Sequence, residues 1–114
     1  MTASSKISIC IPSYNRKKLS ECLSSLIPLV RNMEIPVYVQ DNYEGPPFDC
    51  SIFSYPHLHY EQNLSNIGAD LNMFRCLRKA QTSHALWLGD DDHITEAFLQ
   101  YIYICKMICP ICSF

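Results

Sequence analysis

Glycine is scarce: Gly45, Gly68 and Gly89 are the only three in 114 residues. So few glycines exclude a collagen repeat and a Gly-rich linker. None precedes Gly45. The first strand–helix turn therefore lacks the Gly-x-Gly-x-x-Gly of a dinucleotide-dependent oxidoreductase and the glycines of a phosphate-cradling Walker loop. A surplus of positive charge is also missing. Nine Lys and Arg stand against eleven Asp and Glu, a formal net charge of −2, which argues against a polybasic nucleic-acid binder. No stretch reaches the roughly 18–20 apolar residues that a membrane-spanning helix needs. The apolar run from Tyr101 to Cys112 is short and is interrupted by Lys106 and Pro110. No long apolar segment precedes the first strand-like run, so a secretory signal is not expected.

What is present reads as one small globular domain. At roughly 100–200 residues per domain the length leaves no room for two. Hydrophobic residues make up 48% and charged residues 18%, a balance that suits a packed core rather than disorder. Seven cysteines cannot all pair within the chain. Cys10, Cys22 and Cys76 each sit in apolar surroundings, so they read as small buried hydrophobes in a reducing compartment. The expected location is the cytoplasm, with peripheral contact at the inner face of the membrane left open.

The apolar pattern alternates between strand and helix. Lys6 to Pro12 alternates and is rich in β-branched residues, so it predicts a first strand. Leu19, Cys22, Leu23, Leu26, Ile27 and Val30 recur at helical spacing and predict a helix from about Lys17 to Leu29, trimmed by Pro28. Ile35 to Gln40 predicts a second strand. Tyr43 to Pro56, with Gly45 and three prolines, reads as a loop with one helical turn. Leu58 to Gln62 predicts a short third strand, and Asp70 to Gln81 a second helix. His84 to Gly89 reads as a strand buried on both faces. Thr95 caps a last helix that runs to about Ile108. Alternating strands and helices imply right-handed crossovers and a mostly parallel sheet, with any ligand bound beyond the carboxyl ends of the strands.

Polar clusters fall at those ends. After the fourth strand comes Asp90-Asp91-Asp92. Three adjacent carboxylates repel one another unless a cation or solvent compensates, and a hard divalent ion prefers such oxygen ligands. The plain alternative is a solvated turn that favours the next helix through its dipole; placement after an apolar strand favours the metal. Asp41 ends the second strand, either as a turn residue or as an acceptor for a base or ribose. Pro12-Ser13-Tyr14-Asn15-Arg16 offers an aromatic face and a guanidinium, or simply a helix entry capped by Ser13 or Asn15. Asn66 to Asn72 opens a helix whose N–H groups suit an anion, or in which Asp70 and Asn72 act as caps.

Taken in order, Ile11-Pro12-Ser13-Tyr14-Asn15-Arg16, Asp41-Asn42, Asn66-Ile67-Gly68-Ala69-Asp70-Leu71-Asn72 and Trp87-Leu88-Gly89-Asp90-Asp91-Asp92 resemble the donor half of a family-2 glycosyltransferase. The resemblance covers Lys6 to Glu96. It implies a Rossmann-like nucleotide-binding α/β sandwich of GT-A type, truncated, with residues 1–96 as the donor-binding part and 97–114 as a terminal helix and atypical tail. It implies inverting, metal-dependent transfer of a sugar from a nucleotide diphosphate sugar to an acceptor hydroxyl on a glycan or lipid-linked acceptor, in surface glycan synthesis. By the same resemblance Pro12, Ser13, Tyr14, Arg16, Asp41, Asp70, Asp90 and Asp91 contact the nucleotide sugar. Asp92 and Asp90 hold Mn²⁺ or Mg²⁺.

The resemblance also implies a catalytic carboxylate beyond the aspartate triplet. Glu96 is the sole carboxylate there, at a position that suits a helix dipole, so no base is assigned. The acceptor half is expected to be absent. The apolar face it would cover is expected to self-associate or to take a partner chain. An inactive nucleotide-binding or protein-interaction module is the alternative function. Cys109-Pro110-Ile111-Cys112 has the spacing of half a zinc site but lacks a second pair. It reads as the mark of a truncated or frame-shifted gene end rather than as a metal or redox site.

Overall fold

The computed structural model describes residues 7–108, excluding the side chains at 103 and 105–108. The elements run β1 (Ile7–Ser13), α1 (Arg16–Val30), β2 (Val37–Asp41), β3 (Leu58–Gln62), α2 (Ala69–Leu77), β4 (His84–Trp87) and α3 (Glu96–Ile108). Short 3-10 turns at Arg31–Met33 and Cys50–Phe53 fill the connections, the second being the helical turn expected in the long loop. The four strands form one sheet in the order β3-β2-β1-β4, and every pairing is parallel. The α/β class and the parallel sheet read from the sequence are those observed. Among the described residues no helix is long and apolar enough to cross a membrane.

Alternation along the strands sorts the two faces. Ile7, Ile9, Ile11, Val37 and Val39 pack against Leu19, Cys22, Leu23, Leu26, Ile27 and Val30 of α1 and against Leu99 and Ile102 of α3. Each such side chain contributes about 1.5–3 kcal/mol on full burial, so this face carries most of the stability. The opposite face is smaller and more polar. Ser8, Cys10 and Gln40 lie there, with Asn72 and Cys76 of α2 against them. The expected burial of Cys10, Cys22 and Cys76 is observed, and all three are free thiols.

The first helix is within one residue of expectation at each end, with Pro28 inside its last turn. Two local expectations are corrected. The second helix stops at Leu77 instead of Gln81. The backbone then tightens, with Lys79 N–H bonding to Cys76 O and Ala80 N–H to Leu77 O, and swings Thr82 back onto β1. There Thr82 Oγ1 lies 2.8 Å from Ser8 Oγ. The fourth strand is not buried on both faces. Among the described residues it is an edge strand paired only with β1, and its burial alternates. The helix α2 lies mainly over β1 and β2 and leaves Trp87 56% exposed. The Cys109-x-x-Cys112 pair lies outside the described residues.

Candidate functional site

Strand order reverses between β1 and β4, since β1 leads to β2 on one side while β4 returns to the other. Crevices at such reversals, outside the carboxyl ends of the strands, are where open α/β sheets bind ligands. A cleft of about 660 Å³ opens there, walled by Ser13 and Tyr14 at the end of β1, Asp70 and Met73 on α2, and Trp87 and Asp90 at the end of β4.

Asp90 builds one wall. Its Oδ2 accepts hydrogen bonds from Ser13 Oγ at 3.0 Å, Tyr14 N–H at 3.1 Å and Asn15 N–H at 3.2 Å. One carboxylate oxygen thus ties the end of β4 to the turn that opens α1. The side-chain cap of α1 is Asn15, whose Oδ1 accepts from Lys18 N–H at 3.0 Å. Ser13 is spared for Asp90. Its neighbours in the triplet diverge. Asp91 lies 3.8 Å from Lys18 Nζ. Asp92 folds back so that its Oδ2 accepts from Gly89 N–H at 3.2 Å. A Cβ on Gly89 would come within 2.8 Å of that oxygen, so the glycine makes room for the carboxylate rather than for a bend. The three charges also reach the core: burial foremost, then the fields of Asp90, Asp92 and Asp91, push the Cys22 thiol up to about 12. It stays protonated at neutral pH.

Asp41 and Arg16 stand apart from the cleft and face each other. Asp41 is fully buried, and its Oδ2 lies 2.9 Å from Arg16 Nη1 and accepts from Tyr60 Oη at 2.5 Å. Its Oδ1 accepts from Tyr43 N–H at 2.9 Å. Burial, followed by the donated bond to Asp41, pushes the Tyr60 phenol above its ordinary value, so it stays a donor. The Arg16 guanidinium also donates to Pro46 O and sits 4.3 Å from the centroid of the Tyr43 ring. Both side chains are therefore committed within the protein.

A buried amide network forms the cleft floor. Asn63 Nδ2 donates to Asn42 Oδ1 at 2.7 Å and to Asn72 Oδ1 at 2.8 Å, and Asn63 Oδ1 accepts from Gln40 Nε2 at 2.8 Å. Asn72 Nδ2 donates to Gln40 O at 3.0 Å. Such a network fixes the approach of α2 to β1 and β2, since breaking any member leaves a buried polar group unpaired. Sequence reading missed Asn63, Asn72 and Gln40 in this role. Asn42 and Asn63 each directly follow a strand, which marks them as turn residues and not as members of a network. It also missed Met73 and Trp87, which read as helix core and buried strand.

Of the residues singled out from the sequence, Pro12, Ser13, Tyr14, Asp70 and Asp90 line the cleft. Arg16 and Asp41 lie behind it, and Asp91 and Asp92 sit on the exposed turn beside it. Among the described residues no three His, Cys, Asp or Glu side chains are grouped to hold a metal by themselves.

No family model matches the chain. Abequosyltransferase RfbV of Salmonella typhimurium (strain LT2) is 30% identical over 98 residues, a stretch that covers 79% of this chain. The chain is thus similar to part of a glycosyltransferase. The glycosyltransferase likeness is partial in length, because the chain spans 29% of that relative. Solved structures extend it to the fold. Residues 1–349 of S. aureus TarS in complex with UDP superpose with a TM-score of 0.73 and 24% identity, over 90% of this chain and 32% of that one. A second structure of S. aureus TarS gives 0.71 and 23% identity, over 90% of this chain and 20% of that one.

Proposed function

We propose that the cleft between β1 and β4 binds the nucleotide of a sugar donor, and that the chain supplies the donor side of a family-2, GT-A-type glycosyltransferase. The observation that carries this reading is the convergence of Ser13, Tyr14, Asp70 and Asp90 on one cleft at the reversal of strand order. Tyr14, 58% exposed, offers a face for a base. Asp90, already anchored through Oδ2, has Oδ1 without a hydrogen bond among the described residues, open to ribose hydroxyls. On this reading the donor-binding part is residues 1–96, followed by a terminal helix and tail at 97–114.

The residues present fit a divalent cation that brings most of its own ligands. Among the described residues no Lys, Arg or His lines the cleft, so no side chain in its wall offsets the charge of a diphosphate. Asp91 and Asp92 are exposed oxygen donors beside it. One or two carboxylates, substrate phosphates and water make a suitable shell for Mg²⁺ or Mn²⁺, with Asp92 and Asp90 as the protein's share. When bound, the cation stabilises the negative charge that the nucleoside diphosphate gains as the sugar leaves.

The resulting reaction is an inverting one. The bond between the anomeric carbon and the diphosphate breaks as an acceptor hydroxyl on a glycan or lipid-linked acceptor attacks from the opposite face, and the hydroxyl proton passes to a general base that is not assigned among the described residues. Surface glycan synthesis, at the cytoplasmic face of the membrane, is the setting this chemistry suits. Glu96 stays in the first turn of α3, with Gln100 Nε2 3.5 Å away, as a helix-dipole residue. An exposed stripe of Phe98, Tyr101 and Ile104 on α3 favours a second reading, a nucleotide-binding module whose role is association with itself or a partner chain. Sugar transfer by the pure chain would exclude that second reading.

Thermal-shift screening against a panel of nucleotide diphosphate sugars tests the proposal. At least one donor should raise the melting temperature by several degrees with Mn²⁺ present and by much less with chelator. At 100 times Kd the expected stabilisation is about 2.7 kcal/mol. A flat panel in both conditions would contradict a donor site.

A further inference from the structure

We infer that the outer face of α2 docks on the surface of an anionic bilayer, with Leu71 and Phe74 entering the headgroup layer and Arg75 and Arg78 meeting lipid phosphates. The helix buries Asn72 and Cys76 against the sheet. Leu71, Phe74, Arg75 and Arg78 follow one another at i, i+3, i+4 and i+7, so they share the opposite face, and Arg78, the C-cap, keeps a helical backbone. Leu71 is 62% and Phe74 59% exposed. Two large apolar side chains one turn apart therefore stay in water instead of joining the core. Beside them a hollow of about 470 Å³ is lined by Arg75, Arg78, Lys79 and Glu61. Lys79 is neutralised there, since its Nζ lies 2.6 Å from Glu61 Oε1. Arg75 donates to Asn63 Oδ1 at 3.1 Å, an uncharged acceptor, and keeps its charge unpaired. The exposed Arg78 side chain makes no hydrogen bond or ion pair among the described residues.

Charge selects the occupant. The chain as a whole carries a net charge of −2, yet this face has positive charge to spare. A helix dipole accounts for cations near the C-terminus of α2 but not for Leu71 and Phe74 beside them. An apolar partner surface would cover those two and strand both guanidinium groups away from water. An anionic bilayer suits both sets, because apolar side chains enter the boundary of the acyl chains while long basic ones reach the phosphates. With two apolar groups and two free cations the association is reversible and sensitive to salt. The face is also separate from the stripe on α3, since α1 and α3 pack on one side of the sheet and α2 on the other. Asp70 and Met73 of α2 wall the cleft. On the donor-cleft reading, docking therefore sets the cleft mouth beside the bilayer, where a lipid-linked acceptor is held.

Co-sedimentation of the chain with vesicles tests this, using phosphatidylcholine alone and an equal mixture of phosphatidylcholine and phosphatidylglycerol. The expected result is pelleting with the mixed vesicles at low salt, release at high salt, and little pelleting with phosphatidylcholine alone. Arg78→Glu should weaken binding about fivefold or more, the worth of one basic residue near an anionic surface. Adding Phe74→Ser should abolish it. Both side chains are exposed, and neither lines the cleft, so UDP titrated with Mn²⁺ should bind the wild type and the variants alike. No pelleting, equal pelleting with both vesicle compositions, or unchanged binding by the double variant would overturn the inference. A dimer that forms without vesicles and is lost in Phe74→Ser would overturn it too, by giving the face to a second copy of the chain. A wild-type chain that pellets with the mixed vesicles as expected but binds no UDP would overturn the donor-cleft reading and uphold the docking face.

Discussion

Asp41→Ala is expected to lower the melting temperature by more than about 10 °C. Removing one partner of a buried ion pair costs about 3–5 kcal/mol, because the other charge is left uncompensated, and each 1 kcal/mol moves a domain near 100 residues by about 4–8 °C. Here the stranded group is Arg16, whose side chain is only 22% exposed. The damage spreads because the pair joins three elements. Arg16 opens α1, Asp41 ends β2, and Tyr60, which donates to Asp41, belongs to β3. The Tyr43 N–H loses its acceptor as well. A double variant, Arg16→Met with Asp41→Leu, should recover a large part of the loss, since well-packed apolar groups often replace a buried pair at little cost. Thermal melts of the single and double variants check this. If the single variant melts within 2–3 °C of the wild type, an ordinary surface substitution's range, the pair is not structural.

Asp90→Ala should act on binding more than on stability. Three donors converge on its Oδ2, two of them backbone N–H groups of the turn between β1 and α1. Hydrogen bonds to a charged group contribute about 1.5–3 kcal/mol each and are not additive here, since they share one acceptor. The expected loss of stability is about 2 kcal/mol. The turn carries Ser13 and Tyr14 into the cleft, so its release should weaken nucleotide binding about a hundredfold or more, a misplacement effect joined to the loss of a contact group. Asp90→Asn keeps one acceptor oxygen and should fall between. The ratio of affinities across wild type, Asn and Ala, measured at a temperature where all three are folded, is the readout.

Much of this was legible in the sequence because strand signals are local. β-branched alternation located β1, the run from Leu58 to Gln62 located β3 to the residue, and polar clusters marked the carboxyl ends where ligands bind. Pairing is not local, and there reading failed. His84 to Trp87 is as apolar as a central strand, yet its place at the sheet edge depends on which strands come to lie beside β1. The relation of Arg16 to Asp41 was hidden for the same reason. Each has the chemistry of a ligand contact, and only the parallel register of β1 and β2, which sets Ser13 opposite Asp41, brings them together. Asn63 and Asn72 carry no pattern of their own, because a single buried amide is defined by its partners. The aspartate triplet was legible as a cluster, but the separate paths of Asp90 to the β1–α1 turn, Asp91 toward Lys18 and Asp92 onto Gly89 were not.

The central claim is that the cleft at the β1–β4 crossing is a nucleotide diphosphate site whose charge is offset by a divalent cation. Calorimetric titration of the chain with UDP, with Mn²⁺ and then with chelator, tests it most directly. Saturable one-to-one binding with the cation is expected, with a loss of at least about tenfold without it, because among the described residues no cationic side chain lines the cleft. Binding of equal strength with and without the cation, or no binding at millimolar ligand, would contradict it.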